Sequence, residues 1–224
     1  MGILNPVVSK FSLVAGVPQE VYICPVSKSH AVVDLSFFKD NLAGDALIAV
    51  ALSAESNPVN LTSVDYFIDD IQLIGVVNSA ELSKVTVGSG ERLYIRVMSG
   101  VDIVARLSGV EETNPKVLKA GRLAASTIAG VGQTQIYANA LPNVSYISVA
   151  ATIFNTSATQ NAEIEVWIST SATPAASDKV LKLEIPTNDT TILESILLAP
   201  NERIFVRSNV ANTEYFIVGT VVSL

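Results

Sequence analysis

With one histidine, one cysteine and no cluster of lysine or arginine, the 224-residue chain is short of most side chains that do chemistry. Cys24 has no second thiol to meet, so no intrachain disulfide forms, and it reads as a small apolar residue of a strand. Any Ser-His-Asp arrangement would have to use His30, with Ser27, Ser29 or Asp34 as local company; a histidine in a turn beside a strand start accounts for it without chemistry. One His and one Cys make no zinc framework. Asp65, Asp69 and Asp70 lack the glycine-punctuated spacing of a calcium loop and read as charges flanking a strand. The segment GVGQTQ (130–135) lacks the third glycine and the following helix of a dinucleotide fingerprint, and reads as a turn. The expectation is a protein that is not an enzyme, with no cofactor and no metal.

Charge narrows the partners. Fourteen basic against twenty-one acidic residues give a formal charge of −7, with no basic stripe to neutralise successive phosphates, so direct nucleic-acid binding is not expected. The start, MGILNPVVSK, has neither the basic beginning nor the apolar centre of a signal peptide, and Pro6 stands where a myristoylation site carries Ser or Thr. The longest clean apolar run, residues 46–52, is far below the roughly 18–20 residues of a bilayer span. The chain is therefore expected to be made in a cytoplasm and to have no membrane partner. Four Asn-x-Ser/Thr triplets begin at Asn60, Asn143, Asn155 and Asn188; in a chain rich in these residues and without a secretory signal they are not read as glycan sites.

What the chain does have is 49% apolar residues, only 16% charged, and an abundance of Val, Ile, Ala, Thr and Ser, the composition of pleated, half-buried strands. It also repeats itself. Residues 14–19 (VAGVPQ) match 128–133 (IAGVGQ), Tyr22 matches Tyr137, Phe38 matches Phe154, Ser53 and Pro58 match Ser169 and Pro174, and Glu91 matches Glu202. A period of about 110–116 residues is too long for a solenoid unit and indicates a duplicated domain. The expected division is 1–112, with a short N-terminal arm, and 113–224, opening with a short linker taken from EETNPKVLKAGR (111–122).

Period-two alternation sets the core in both copies: Val33, Leu35 and Phe37 correspond to Val149, Ala151 and Ile153, and Ile48, Val50 and Leu52 to Ile164, Val166 and Ile168. Seven or eight short strands per copy, joined by turns such as KDNLAGD (39–45), argue for an all-β chain of two tandem antiparallel β-sandwiches. This patterning does not separate immunoglobulin-like from jelly-roll topology.

The outward phase of the same strands gives the candidate interface. The second copy has Glu163, Glu165 and Trp167 where the first has Leu47, Ala49 and Ala51. An apolar outer face requires a cover: the sister domain, another subunit or a larger assembly, or else a covering loop or thicker core. A cover over a few hundred Å² contributes several kcal/mol at about 25 cal/mol per Å². GERLYIRV (90–97) and NERIFVRS (201–208) each place arginine, aromatic, arginine outward: Arg92, Tyr94 and Arg96, then Arg203, Phe205 and Arg207. Forked donors beside a ring are the residue usage of interface centres, and equally of a solvated face whose long side chains cover their neighbours. The preceding GSGER and APNER read as hairpin turns. Trp167 by phase is outward, a rim aromatic or one plank of a sugar-stacking platform.

VYICPVSKSHAVVDLSFF and VTVGSGERLYIRVMSGVDIVARLSGVEE together resemble a recurrent module of tailed-bacteriophage structural proteins. The likeness is carried by Pro25, Gly90, Glu91, Arg92, Gly109 and Glu111 in the first copy and by Asn155, Thr156, Ser157, Glu202, Arg203 and Gly219 in the second. The second copy departs from it with Asn201 in place of glycine and no closing Glu. The resemblance implies a virion component, decorating a head or forming part of a tail or fibre, whose partners are its own copies and other virion proteins. The competing expectation is a module that binds host-surface glycans.

Overall fold

The computed structural model describes residues 3–39, 44–75, 79–128, 131–140, 144–211 and 213–223. The expected turn at 39–45, Gly130 and Asn143 fall wholly or partly outside these residues. Two compact units divide the chain, Met1–Arg122 and Leu123–Leu224.

Unit 1 contains β1 (Ile3–Leu13), β2 (Gln19–Ile23), β3 (His30–Lys39), β4 (Ala46–Ser53), β5 (Tyr66–Leu73), β6 (Ser79–Gly88), β7 (Arg92–Gly100) and β8 (Ile103–Thr113). The series continues with β9 (Val117–Ile128), β10 (Thr134–Ala138), β11 (Val144–Phe154), β12 (Ala162–Ser169), β13 (Lys179–Ile185), β14 (Thr190–Leu198), β15 (Arg203–Ser208) and β16 (Thr213–Ser223). The pairing orders are β1-β8-β3-β6 with β2-β7-β4-β5, and β9-β16-β11-β14 with β10-β15-β12-β13. One order is the other with every strand advanced by eight. Two four-stranded antiparallel sheets connected in this way form a jelly roll; the topology left open by patterning is settled in both units.

The core follows the two-residue period. In unit 1, Val33, Leu35, Phe37, Ile48, Val50, Leu52, Leu93, Ile95 and Val97 are buried. In unit 2, Ile147, Val149, Ala151 and Ile153 of one sheet form a single cluster with Ile164, Val166, Ile204 and Val206 of the other. Each unit thus encloses apolar side chains between two sheets, the condition for a sandwich to be stable.

Three details are duplicated. At the turn into β7 and β15, the Glu91 carboxylate accepts the Gly88 N–H at 2.9 Å and the Glu202 carboxylate accepts the Ala199 N–H at 2.8 Å. The residue before each glutamate is left-handed, Gly90 at φ 77° and Asn201 at φ 68°. Asparagine is the non-glycine residue that tolerates this region best, so the departure from glycine keeps the turn. Gly109 of β8 faces Val33 and Gly219 of β16 faces Val149. A Cβ at either would run into the backbone of the facing strand, the Val32 carbonyl in one case and the Ser148 carbonyl in the other. Register shifts also fall at matching places, between Val33 and Leu35 and between Val149 and Ala151.

Two expectations about the chain's organisation are corrected. The short N-terminal arm is strand β1, paired with β8 along its described length; Pro6 is accommodated because β1 is an edge strand. The linker is mostly strand: β8 runs to Thr113, a turn covers 114–116, and β9 begins at Val117. The Glu91 carboxylate also accepts the Arg122 N–H at 3.0 Å, and the Arg122 guanidinium pairs with Asp65; the two compact units divide after Arg122, within β9.

Candidate assembly surface

The outward positions of β7 and β4 meet a cover supplied by unit 1 itself. Tyr94 lies opposite Ala51 and is fully buried, its hydroxyl donating to the Glu55 carbonyl in the segment between β4 and β5. Arg96 lies opposite Ala49 and donates from Nε to the Gly16 carbonyl at 2.8 Å. Arg92 pairs with Glu20 of β2. Ala49 and Ala51 are buried and Leu47 is half-buried. For Tyr94 that cover includes the segment between β4 and β5, the covering loop among the alternatives.

Unit 2 repeats the arrangement with different chemistry. Trp167 (3% exposed) and Phe205 (4%) lie opposite one another on β12 and β15. The Lys179 ammonium stands 5.3 Å from the Trp167 ring centroid and pairs with Glu165. Arg207, exposed, brings Nε to 3.4 Å from the same carboxylate, and Glu163 pairs with Lys182 at 2.9 Å. The hydrogen bond from Lys179 holds the Glu165 carboxyl below the usual carboxylate range. Arg203 is half-buried. Strand phase sends Glu165 and Trp167 outward, yet the unit's own basic side chains close over them, so Trp167 is not an exposed rim aromatic. Buried in this way, Trp167 offers no plank for a sugar ring.

The pairs examined for chemistry are engaged elsewhere. The Ser29 hydroxyl donates to the Glu112 carbonyl at 2.7 Å and accepts the Asn114 N–H at 2.8 Å, while Asp34 accepts the Lys84 N–H at 2.8 Å. His30 is buried with Nε2 3.4 Å from Glu112; burial lowers its pKa below the usual histidine value, and the Glu112 charge partly opposes this. Burial pushes the Cys24 thiol up to about 11, so it stays protonated. Asp65 is a buried acceptor rather than a surface charge. Burial acts to raise its pKa, but hydrogen bonds from Thr62, Ser53 and Arg122 outweigh it and hold the carboxyl below the usual range. Among the described residues, no group of three or more His, Cys, Asp or Glu could hold a metal ion.

Sequence reasoning missed two features. Lys39 is buried and donates to three carbonyls: Gly44 at 2.7 Å, Leu73 at 3.2 Å and Gly75 at 2.8 Å. Asn155, at the matching end of β11, donates to Gln160 at 2.8 Å, Ile185 at 3.1 Å and Pro186 at 2.8 Å. An ammonium and an amide therefore clasp corresponding loops, and the signal was the residue that follows Phe38 and Phe154 in the repeat.

The second missed feature is the outer face of the β9-β16-β11-β14 sheet. Cross-strand register groups Tyr146 with Val222, Ala150 with Val218, Ser148 with Leu197 and Thr152 with Ile192. Tyr146, Ile192 and Leu197 are exposed with Glu194 beside them, whereas Thr152, Phe154 and Phe216, on the same phase, are buried next to half-buried Glu214. The matching face of unit 1 carries Lys10 opposite Arg106, and Ser36 between Arg106 and Glu81, together with exposed Val8, Phe38 and Val110. Alternation along SYISVAAT and TTILESILL held the signal, once the inward phase was known.

No family model and no curated protein matches the chain. Among solved structures, the STIV MCP is similar at 9% identity and a TM-score of 0.42, over 100% of this chain and 97% of that one. The major capsid protein P2 from bacteriophage PM2 is similar at 12% identity and a TM-score of 0.40, over 97% and 98%. Cowpea mosaic virus top component, naturally occurring empty particles, gives 7% identity and a TM-score of 0.36, over 98% and 88%.

Proposed function

We propose that the chain is a non-enzymatic structural component of a virion that works by geometry, assembling with its own copies and with other virion proteins. The observation that carries this is the apolar outer face of unit 2, with Tyr146, Ile192 and Leu197 exposed on a sheet that has already filled its own core. Such a face on a folded domain marks a protein-protein contact. The fold agrees by analogy, since jelly rolls serve as capsid and lectin domains. Leu47, Arg92, Arg96, Arg203 and Arg207, the candidate interface residues that remain at least partly accessible, lie on the β2-β7-β4-β5 and β10-β15-β12-β13 sheets and would make contacts separate from this face. The enclosed Ala49, Ala51 and Tyr94 in unit 1, and Phe205 and Trp167 in unit 2, lie on the same sheets beside them.

The residues shared with tailed-bacteriophage modules support the finer reading of a protein that decorates a phage capsid or forms part of its tail or fibre. Native mass spectrometry and light scattering test the proposal. The purified chain should form oligomers or bind particles, and Leu197→Glu should weaken that association while leaving the fold intact. A persistent monomer that binds host glycans on an array would replace this reading with the glycan-binding one.

A further inference from the structure

The geometry points to a second copy of this chain as the partner of the free edge of β13. Two β13 strands pair antiparallel about a two-fold axis at Leu183, joining two β10-β15-β12-β13 sheets into one. This deepens the assembly reading and rests on it.

β13 ends its sheet, so one side of its backbone carries unpaired N–H and C=O groups. Lys179, Val180, Leu181, Lys182 and Glu184 are exposed, with Val180 at 57% and Leu181 at 36%, so the edge is open to a partner. Register places Leu181 and Leu183 on the core side, opposite Val166 and Ile164, and Lys182 and Glu184 on the outer side. Leu183 packs against the core yet stays half-buried, as expected where a sheet stops short.

Charge selects the partner and the register. Centred on Leu183, the pairing sets Lys182 of each copy opposite Glu184 of the other, twice by symmetry, and Leu181 opposite Ile185. Centred on Lys182, it would oppose two lysines; centred on Leu181, it would pair no opposite charges. Within one chain Glu184 lies directly opposite Glu163 of β12; Lys182 pairs with Glu163 at 2.9 Å and the Asn161 amide donates to Glu184 at 2.6 Å, which leaves Glu184 without a cationic partner among the described residues. The corresponding edge of unit 1, β5, carries Asp69 and Asp70 and no basic residue, so self-pairing there would bring only carboxylates together.

The test uses two single variants of the full chain and their mixture in sedimentation equilibrium. Lys182→Glu places glutamate opposite glutamate between copies, and Glu184→Lys places lysine opposite lysine. Each alone should associate at least about tenfold more weakly than the parent. Mixed in equal amounts, the two should form a heterodimer at about the parent's affinity, because both contacts become opposite-charge pairs. That recovery also shows both variants are folded. Variants that associate like the parent, or a mixture that gains nothing, would overturn the β13 pairing and leave the broader assembly reading in place. A parent chain that stays monomeric and binds no particle would end both.

Discussion

Replacing Lys39 by methionine should destabilise unit 1 by about 2–3 kcal/mol. Methionine keeps the length and apolar burial of the side chain and removes its three donors. The bond to Leu73 is fully buried, whereas those to Gly44 and Gly75 are partly buried. An orphaned buried carbonyl costs about 1–3 kcal/mol, and each of the other two, which water can reach, about 0.5–1 kcal/mol. Against this stands the relief of no longer burying an ammonium, which keeps the net below the sum. For a unit of this size the loss corresponds to about 6–12 °C in Tm. Urea unfolding read by far-UV circular dichroism measures it, and the fluorescence of Trp167, which lies in unit 2, separates the two units. Asn155→Leu is the mirror experiment and should move the Trp167 transition instead. A Lys39→Met chain within about 0.5 kcal/mol of the parent would refute the reasoning, because the three bonds would then only break even with desolvation.

Gly109→Ala and Gly219→Ala should each cost about 2 kcal/mol or more, since the new methyl meets facing backbone in both units; equilibrium unfolding checks this. Asn201→Ala should cost about 1 kcal/mol and Asn201→Gly only a few tenths, because the position is left-handed. His30 has a folded pKa below its unfolded value, so as pH falls through the ordinary histidine range the unfolded chain takes up a proton that the folded chain does not. Stability should therefore fall with that acidification, and His30→Gln should flatten the fall in urea titrations at successive pH values.

Inward residues were legible because a strand with one filled face has only two phases. Val33, Leu35 and Phe37, or Leu93, Ile95 and Val97, could sit in no other register without turning the core outward. The glutamate turns were legible for a local reason, since donor and acceptor lie three residues apart. Covers were not. The hydroxyl of Tyr94 reaches Glu55, and the ammonium over Trp167 comes from β13, partners that outward phase does not specify. Lys39 carries no local sign of burial, because two of its three acceptors lie beyond residue 70 and lysine is ordinarily exposed. β1 carries Pro6 inside its span, a residue that hides a strand in the sequence and that an edge strand tolerates.

The two units share inward residues, turn geometry and facing glycines, so their outward differences do not serve the fold. In unit 1 the matching sheet face carries Lys10, Arg106 and Glu81 among exposed Val8, Phe38 and Val110, and the β5 edge carries Asp69 and Asp70, charges of the kind that keep a sheet from adhering to its neighbours. In unit 2, Tyr146, Ile192 and Leu197 occupy the face with Glu194 beside them, and β13 alternates leucine with a lysine and a glutamate two residues apart. Apolar residues retained in water on a finished sandwich work against solubility unless something covers them. In the proposed assembly, the face of Tyr146, Ile192 and Leu197 and the β13 edge would be the contacts that unit 2 contributes.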